Sequence, residues 1–200
     1  MLRLFGALLL AAVLAAPFNA QAQPAADETP SVLPRHHIAL DIGLLPQTAA
    51  EPGDARLSGF LGALTYAYRM APGWTLEAGG AVHSTEAQFA ETATVTSLLF
   101  GTNYYPAALA PSPTVRPYLT GALGPYIGAS ASGLRGRTRT QAVVGARLGA
   151  GLDVRFSTWL TGGLRAAYHA APDYADTVGS ARSPRGAQLS LRLGVTFGRP

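Results

Sequence analysis

Apolar and polar residues alternate along most of the chain, and turn-forming segments interrupt the alternation at regular distances. Successive side chains of an extended strand point to opposite faces, so each alternating run predicts a strand with one apolar face. The other face carries polar or small residues. The runs, eight in number, lie at residues 37–45, 59–69, 74–83, 94–105, 116–127, 141–154, 159–168 and 187–197.

The segments between these runs are of two kinds. Turns follow the second, fourth and sixth runs, at residues 70–73, 106–115 and 156–158. Longer and more polar connectors follow the other runs, at residues 46–57, 84–93, 128–140 and 169–186. Turns at one end and long loops at the other are typical of outer-membrane barrels, whose tilted strands have about this length. We therefore predict an all-β fold, an eight-stranded antiparallel up-and-down transmembrane β-barrel with both chain ends facing the periplasm.

The first residues predict a secretion signal in place of a strand. Arg3 precedes the apolar segment 4–17, and Ala20-Gln21-Ala22 has the small-x-small pattern at which signal peptides are cleaved. We predict a signal peptide at 1–22, a flexible periplasmic leader at 23–35 and the barrel domain at 36–198. The alternative for the first segment is a retained anchor helix.

Composition favours a membrane setting. Charged residues make up 13% of the chain, whereas soluble surfaces usually carry about 25–35%. After the signal no run of about 20 apolar residues occurs, so the chain cannot cross as helices, and a closed barrel is the remaining way to pair every backbone group in lipid. The absence of cysteine excludes disulfides, thiolate zinc sites and thiol nucleophiles. All 15 basic residues are arginine, and the net charge is +4.

The polar face predicts a narrow lumen, because it consists mostly of Gly, Ala, Ser and Thr, which fit inside an eight-stranded barrel. Aromatic residues near strand ends predict the two girdles that membrane interfaces select. Those near the turns are Tyr68, Trp74, Tyr104, Tyr105, Tyr118, Phe156, Trp159 and Phe197, and those near the long loops are Phe60, Tyr126 and Tyr168. The alternative is a soluble barrel or sandwich with its apolar face inward.

Three segments carry a resemblance to a known family: VRPYLTGALGPYIG, GARLGAGLDVRFSTWLTGGLRAAY and the final LSLRLGVTF. With these, the chain resembles the small outer-membrane β-barrel family, the OmpA- and OmpX-like barrels. The resemblance implies the cell outer membrane of a Gram-negative bacterium, contact with lipid and lipopolysaccharide, and biogenesis by periplasmic chaperones and the barrel-assembly machinery. The family typically ends on an aromatic residue, whereas here Gly198-Arg199-Pro200 follow Phe197.

Five charged residues fall on the predicted lumen face near the middle of their strands, and we call them the lumen charge cluster: Asp41, Glu77, Arg147, Arg165 and Arg192. Our first interpretation is a structural plug of paired ions, and the alternative is a gated pore for small ions. Unpaired charges are costly in a narrow lumen, so three arginines facing two acids predict further partners or water.

A second basic group lies in the long loops. Arg135, Arg137 and Arg139 lie in the third long connector, and Arg182 and Arg185 lie in the fourth. Outside the cell they would meet lipopolysaccharide phosphates or an acidic polymer. The alternative is a solvated loop. Nucleic acid is not an expected partner, because these residues face the exterior.

Catalytic and metal motifs are weak. His83 and Ser84 suggest the pair that some lipid-deacylating barrels use, but neighbours on a strand point to opposite faces. Glu86, His169 and Asp173 lie near the same rim, where a catalytic site could be assembled. His36-His37 form a pair without further ligands at metal spacing. We expect no enzyme activity, no metal and no cofactor. The leading hypothesis is a structural or surface-interaction barrel; the alternatives are a narrow channel for ions or small hydrophobic solutes, and a lipid-modifying enzyme.

Overall fold

The computed structural model describes residues 35–45, 59–85, 92–131, 138–175 and 183–198. The predicted signal peptide and the leader up to residue 34 lie outside this part of the chain. The strands are β1 (His36–Leu45), β2 (Gly59–Ala71), β3 (Trp74–Thr85), β4 (Thr92–Tyr104), β5 (Val115–Ala131), β6 (Thr138–Arg155), β7 (Leu160–Ala170) and β8 (Gly186–Phe197). Each pairs antiparallel with its sequence neighbours, and β1 pairs with β8 to close the barrel. The predicted fold class is confirmed.

No helix in the described part of the chain is both long and apolar enough to cross a membrane. Its short 3-10 helix, Ala107–Leu109, lies in the turn between β4 and β5.

The strands match the eight alternating runs closely, with one clear difference at the third long connector. We predicted a loop from 128 to 140, but β5 continues to Ala131 and β6 already begins at Thr138. The two extensions pair in register, with Gly128 opposite Gln141. These extensions consist of small and polar residues, so no apolar face marks them in the sequence, although their backbone groups pair as in any strand.

The turn between β2 and β3 shows how local sequence closes a hairpin. Gly73 has φ +76°, close to the value of about +80° that the third residue of a type II turn requires. Pro72 precedes it at the position where proline is favoured. The register also shifts between Arg69 and Ala71, as in a β-bulge, and this bulge lies directly before the turn.

The two faces of the barrel have the opposite polarity to a soluble protein. Leu148, Leu191 and Phe100 are among many large apolar side chains exposed on the outer face, whereas Asp41 and Arg165 are fully buried inside. The alternative, a soluble barrel with its apolar face inward, is therefore wrong, because the apolar face points outward. The interior is filled by side chains, as expected for a barrel of this size.

The predicted aromatic girdles need a correction. Tyr118 and Tyr126 point into the lumen and are 1% and 0% exposed, and Tyr105 points inward to donate a hydrogen bond to Asp153. The reason is strand parity, since Tyr118 and Tyr126 lie at even positions of β5, like the inward-facing Thr120. Seven of the predicted girdle residues are exposed: Trp74, Tyr104, Phe156, Trp159 and Phe197 near the turns, and Phe60 and Tyr168 near the long loops.

Candidate functional site in the barrel lumen

The structure brings together all five residues of the lumen charge cluster. Asp41 lies on β1, Glu77 on β3, and the three arginines lie on β6, β7 and β8. All five side chains are buried. Strands β6, β7, β8 and β1 are consecutive around one side of the barrel. Glu77 lies on β3, outside this group, and therefore reaches its partners across the lumen.

Glu77 is the centre of the cluster because four donors converge on its carboxylate. Its Oε1 accepts from Arg147 Nη2 at 2.5 Å. Its Oε2 accepts from Arg165 Nη2 at 2.6 Å, Arg192 Nη2 at 3.1 Å and Asn103 Nδ2 at 2.9 Å. A carboxylate has about four acceptor positions, so Glu77 uses its full capacity and links β3 to β4, β6, β7 and β8.

Asp41 has fewer partners. Its Oδ2 lies 3.5 Å from Arg165 Nη1, and its Oδ1 lies 3.2 Å from Arg192 Nε as an ion pair. The Nε–Oδ1 contact does not meet the geometry of a hydrogen bond, so we count it as an electrostatic contact only. Asp41 and Arg192 are also direct register partners on β1 and β8.

Neutral side chains supply the further partners that the charge imbalance predicts. Tyr118 Oη accepts from Arg165 Nε at 3.2 Å and from Arg192 Nη1 at 3.5 Å. Thr65 Oγ1 accepts from Arg192 Nη2 at 2.8 Å. Sequence reasoning did not assign Tyr118 or Asn103 to the site, and strand parity was the pattern that would have placed both of them inside.

A chain of polar side chains lies next to the cluster, on the side of the long loops. His169 contacts Tyr126 Oη through Nδ1 at 2.8 Å and Gln188 Oε1 through Nε2 at 2.7 Å. Gln188 Nε2 in turn donates to Ser190 Oγ at 3.1 Å. The His83 ring meets that of His169 edge to face at 5.3 Å. A buried apolar group lies beside this chain and shares Tyr126 with it: Val95, Leu99, Ala122, Tyr126 and Ala171.

The other residues that the sequence singled out do not join this site. His83 is buried in the lumen while Ser84 is exposed on the outer face, as strand alternation requires. His36 and His37 are the first two residues of β1. Arg185 pairs with Asp173 at 3.1 Å near the long-loop end. Arg135, Arg137, Arg182 and Glu86 lie outside the described residues, and of Arg139 only the backbone is described, in β6.

A closed eight-stranded barrel with an apolar exterior and charged residues inside has the architecture of small outer-membrane β-barrels. Solved structures of that class superpose on this chain. Neisserial surface protein A matches with a TM-score of 0.59 and 15% identity, over 81% of this chain and 97% of its own. The N-terminal barrel domain of Pseudomonas aeruginosa OprF matches with a TM-score of 0.56 and 15% identity, over 83% and 99%.

A third structure of the class is Ail, the attachment invasion locus protein of Yersinia pestis. It matches with a TM-score of 0.54 and 15% identity, over 82% of this chain and 99% of its own. No family model and no curated relative matches the sequence. The chain therefore has the fold of the small outer-membrane β-barrels, which confirms the expected resemblance at the level of fold.

Proposed function

We propose that this chain is an integral outer-membrane β-barrel whose lumen is closed by the lumen charge cluster, and that it acts as a structural or surface-interaction protein without turnover. The observation that carries the proposal is the carboxylate of Glu77, on which three arginines converge across the barrel. Side chains that cross the lumen in this way support the proposed closure, because they occupy the space through which a solute would pass.

The membrane setting is supported by the outer face. Leucine and valine side chains are exposed along the strands, and aromatic side chains gather at the turn end. There Trp74 packs against Tyr104 at 4.7 Å, and His36 stacks on Phe197 at 5.3 Å. An apolar band bordered by aromatic rings is what a bilayer selects.

Membrane fractionation with heat-modifiability on a gel tests this setting. We expect the protein in the outer-membrane fraction, with a mobility that changes on boiling because the closed barrel resists detergent until heated. A protein that stays in the soluble fraction and migrates alike with and without boiling would contradict the membrane setting.

Planar-bilayer conductance tests the closure of the lumen. We expect no stepwise conductance from the wild-type protein. The alternative, a narrow ion channel, predicts discrete steps that change in Glu77→Gln, which alters the lumen, and not in Asp173→Asn, which removes a half-exposed carboxylate near the long loops. Such a pair of results would replace the closed barrel with the channel.

Surface interaction is the more specific part of the proposal, and the third long connector supports it. Among the described residues, the β5–β6 hairpin has the two longest strands, of 17 and 18 residues, so its described part extends further than that of the other hairpins toward the long loops. In sequence, Arg135 and Arg137 lie between β5 and β6, and Arg139 is the second residue of β6. Ail, a protein of the same fold, has been solved in complex with a heparin analogue, sucrose octasulfate.

An anion-binding assay tests this role. We expect the folded barrel to bind lipopolysaccharide or heparin, and we expect the triple Arg135→Gln, Arg137→Gln, Arg139→Gln variant to lose most of this binding. The matched variant with lysine at the same positions keeps the charge and should keep most of the affinity. Binding by the glutamine variant equal to that of the wild type would refute the role of this loop.

The absence of turnover is also part of the proposal. His83 and Ser84 face opposite sides of the barrel wall, so they cannot act together as a base and a nucleophile. The mass of lipid A from cells that overexpress the protein should be unchanged. If lipid A lost one acyl chain in cells with the wild-type protein but not in cells with the His83→Ala variant, the protein would be a lipid-modifying enzyme instead.

A further inference from the structure

Four arginines lie at the end of the barrel where the turns are, and we call them the arginine mouth: Arg35, Arg69, Arg116 and Arg155. Arg35 directly precedes β1 and is exposed at this end of the barrel. The other three arginines have the same strand parity as inward-facing residues of their own strands, such as Ala67 on β2 and Tyr118 on β5. They therefore face the barrel axis and not the surrounding lipid. None of them belongs to the lumen charge cluster.

A cavity of about 90 Å³ opens between these arginines. One water molecule needs about 10–15 Å³ of such space, so the cavity has room for a small polyatomic anion. Four threonines also line it: Thr75, Thr114, Thr161 and Thr196. The hydroxyls of Thr161 and Thr196 already donate to backbone carbonyls, whereas the buried Thr75 hydroxyl has no hydrogen-bond partner among the described residues. The wall of the cavity thus combines guanidinium groups with an uncommitted hydroxyl donor.

The backbone holds the arginine mouth in place. Arg69 N donates to Arg35 O at 2.8 Å, and Arg155 N donates to Thr114 O at 2.8 Å. The guanidinium carbon of Arg116 lies 4.6 Å above the centre of the Tyr105 ring. The two backbone contacts fix the chain segments that carry the arginines, and the Tyr105 ring positions the Arg116 guanidinium before any ligand arrives, which lowers the entropic cost of binding.

The positive charge of this cavity is only partly balanced. Among the described residues, Asp153 is the single carboxylate that lines it, and Asp153 Oδ2 accepts a hydrogen bond from the Tyr105 hydroxyl at 2.8 Å. Within the described ranges, Arg116 and Arg155 make no ion pair, although both are partly buried. Burial and the nearby Asp153 carboxylate raise the pKa of Tyr105 well above its usual value, so this phenol stays protonated.

We propose that the arginine mouth is a binding site for a phosphate-class anion. A guanidinium group binds phosphate oxygens through two parallel, charge-assisted hydrogen bonds, and the unpartnered Thr75 hydroxyl adds a neutral donor. The lumen charge cluster cannot serve this purpose, because its arginines are already bound to Glu77 and Asp41. The site is separate from the proposed closure of the lumen and from the long loops.

The same chemistry is offered by two sources, a free phosphate or the headgroup of a lipid. The test uses the full mature protein folded in zwitterionic nanodiscs and isothermal titration with two probes. Inorganic pyrophosphate represents the free anion, and glycerol 3-phosphate represents the headgroup. Tighter binding of the first assigns a soluble anion as the ligand, and tighter binding of the second assigns a lipid headgroup.

Two matched variants decide whether the arginine mouth is the site. In Arg116→Gln, Arg155→Gln we expect at least a tenfold loss of affinity for the better probe. In Arg182→Gln, Arg185→Gln, which removes equal charge near the long loops, we expect affinity within twofold of the wild type. Heat-modifiability shows that each variant is folded, and Arg116→Lys, Arg155→Lys provides a charge-conserving variant with intermediate affinity if the glutamine variant does not fold.

Three results would overturn the proposal. The first is no saturable binding of either probe, and the second is unchanged affinity in both mouth variants. The third is an equal loss in the long-loop variant, since this would show that the probe responds to overall charge and not to a site.

Discussion

The two acids of the lumen charge cluster, Glu77 and Asp41, have very unequal numbers of hydrogen-bond partners. Glu77 accepts from three guanidinium groups and one amide, while Asp41 contacts two guanidinium groups at 3.2 and 3.5 Å. Removing one partner of a buried ion pair is costly because the remaining charge stays desolvated. The effect of a substitution should therefore follow the number of charges that it leaves without a partner.

Neutralising Glu77 should destabilise the barrel more than neutralising Asp41. Glu77→Gln leaves three arginines facing one carboxylate, so we expect a loss in the range of ~3–5 kcal/mol. Asp41→Asn leaves the contacts of Glu77 intact and should cost less. Urea titration of the folded protein in lipid vesicles measures both midpoints, and an equal or reversed order would disprove the central position of Glu77.

Arg165→Ala should also lower the urea midpoint, since it removes contacts to both acids and to Tyr118. The loss should be smaller than for Glu77→Gln, because two arginines then face two carboxylates. Arg185→Ala is the matched control, as its side chain is half exposed and exposed ion pairs contribute little. A midpoint unchanged by Arg165→Ala would count against the lumen charge cluster as a stabilising unit.

At the scale of strands, glycines let large lumen side chains lie flat against the wall. Gly151 of β6 is the register partner of Tyr118 on β5, and a Cβ added at Gly151 would collide with the Tyr118 ring. Tyr118 is held there by Arg165 and Arg192. The close approach of ring and backbone explains why this position carries glycine.

Gly151→Ala should therefore destabilise the barrel by ~1–3 kcal/mol, the usual cost of overpacking. Gly62 on β2 provides the control, because a Cβ there meets nothing within 4 Å. Gly62→Ala should be neutral or stabilise by up to about 1 kcal/mol, as alanine loses less backbone entropy than glycine. The comparison uses thermal unfolding in detergent, and similar losses in both variants would contradict the packing of Tyr118 on Gly151.

Strand positions and the lumen charge cluster could be predicted from sequence because both depend on period-two alternation alone. Strand parity predicts that Asp41, Glu77 and the three arginines lie on one face of the sheet. Because the sheet closes into a barrel, this face lines the lumen. Asn103, Tyr118 and Tyr126 were missed since amide and phenol side chains occur on either face. The extensions of β5 and β6 were missed because small residues carry no alternation, and the arginine mouth depends on four separate strand ends meeting in space.

At the scale of the whole molecule, polarity is inverted from lumen to exterior. Leu191 on β8 faces outward and is 67% exposed, and its register partners Ile42 and Leu164 also carry exposed apolar side chains. Leu109 is 64% exposed as well, but it lies in the short 3-10 helix between β4 and β5. The two leucines are equally exposed, and only the first lies in the apolar band.

The free energy of folding into phospholipid vesicles, measured for Leu191→Arg and Leu109→Arg, tests the account most directly. Arginine on the lipid face near mid-bilayer costs ~2–4 kcal/mol, and the cost falls toward zero at the interfaces. We therefore predict that Leu191→Arg folds less stably than the wild type by that amount, while Leu109→Arg folds with nearly wild-type stability. Equal and small effects of the two substitutions would show that the apolar band faces water, and would contradict a membrane-spanning barrel.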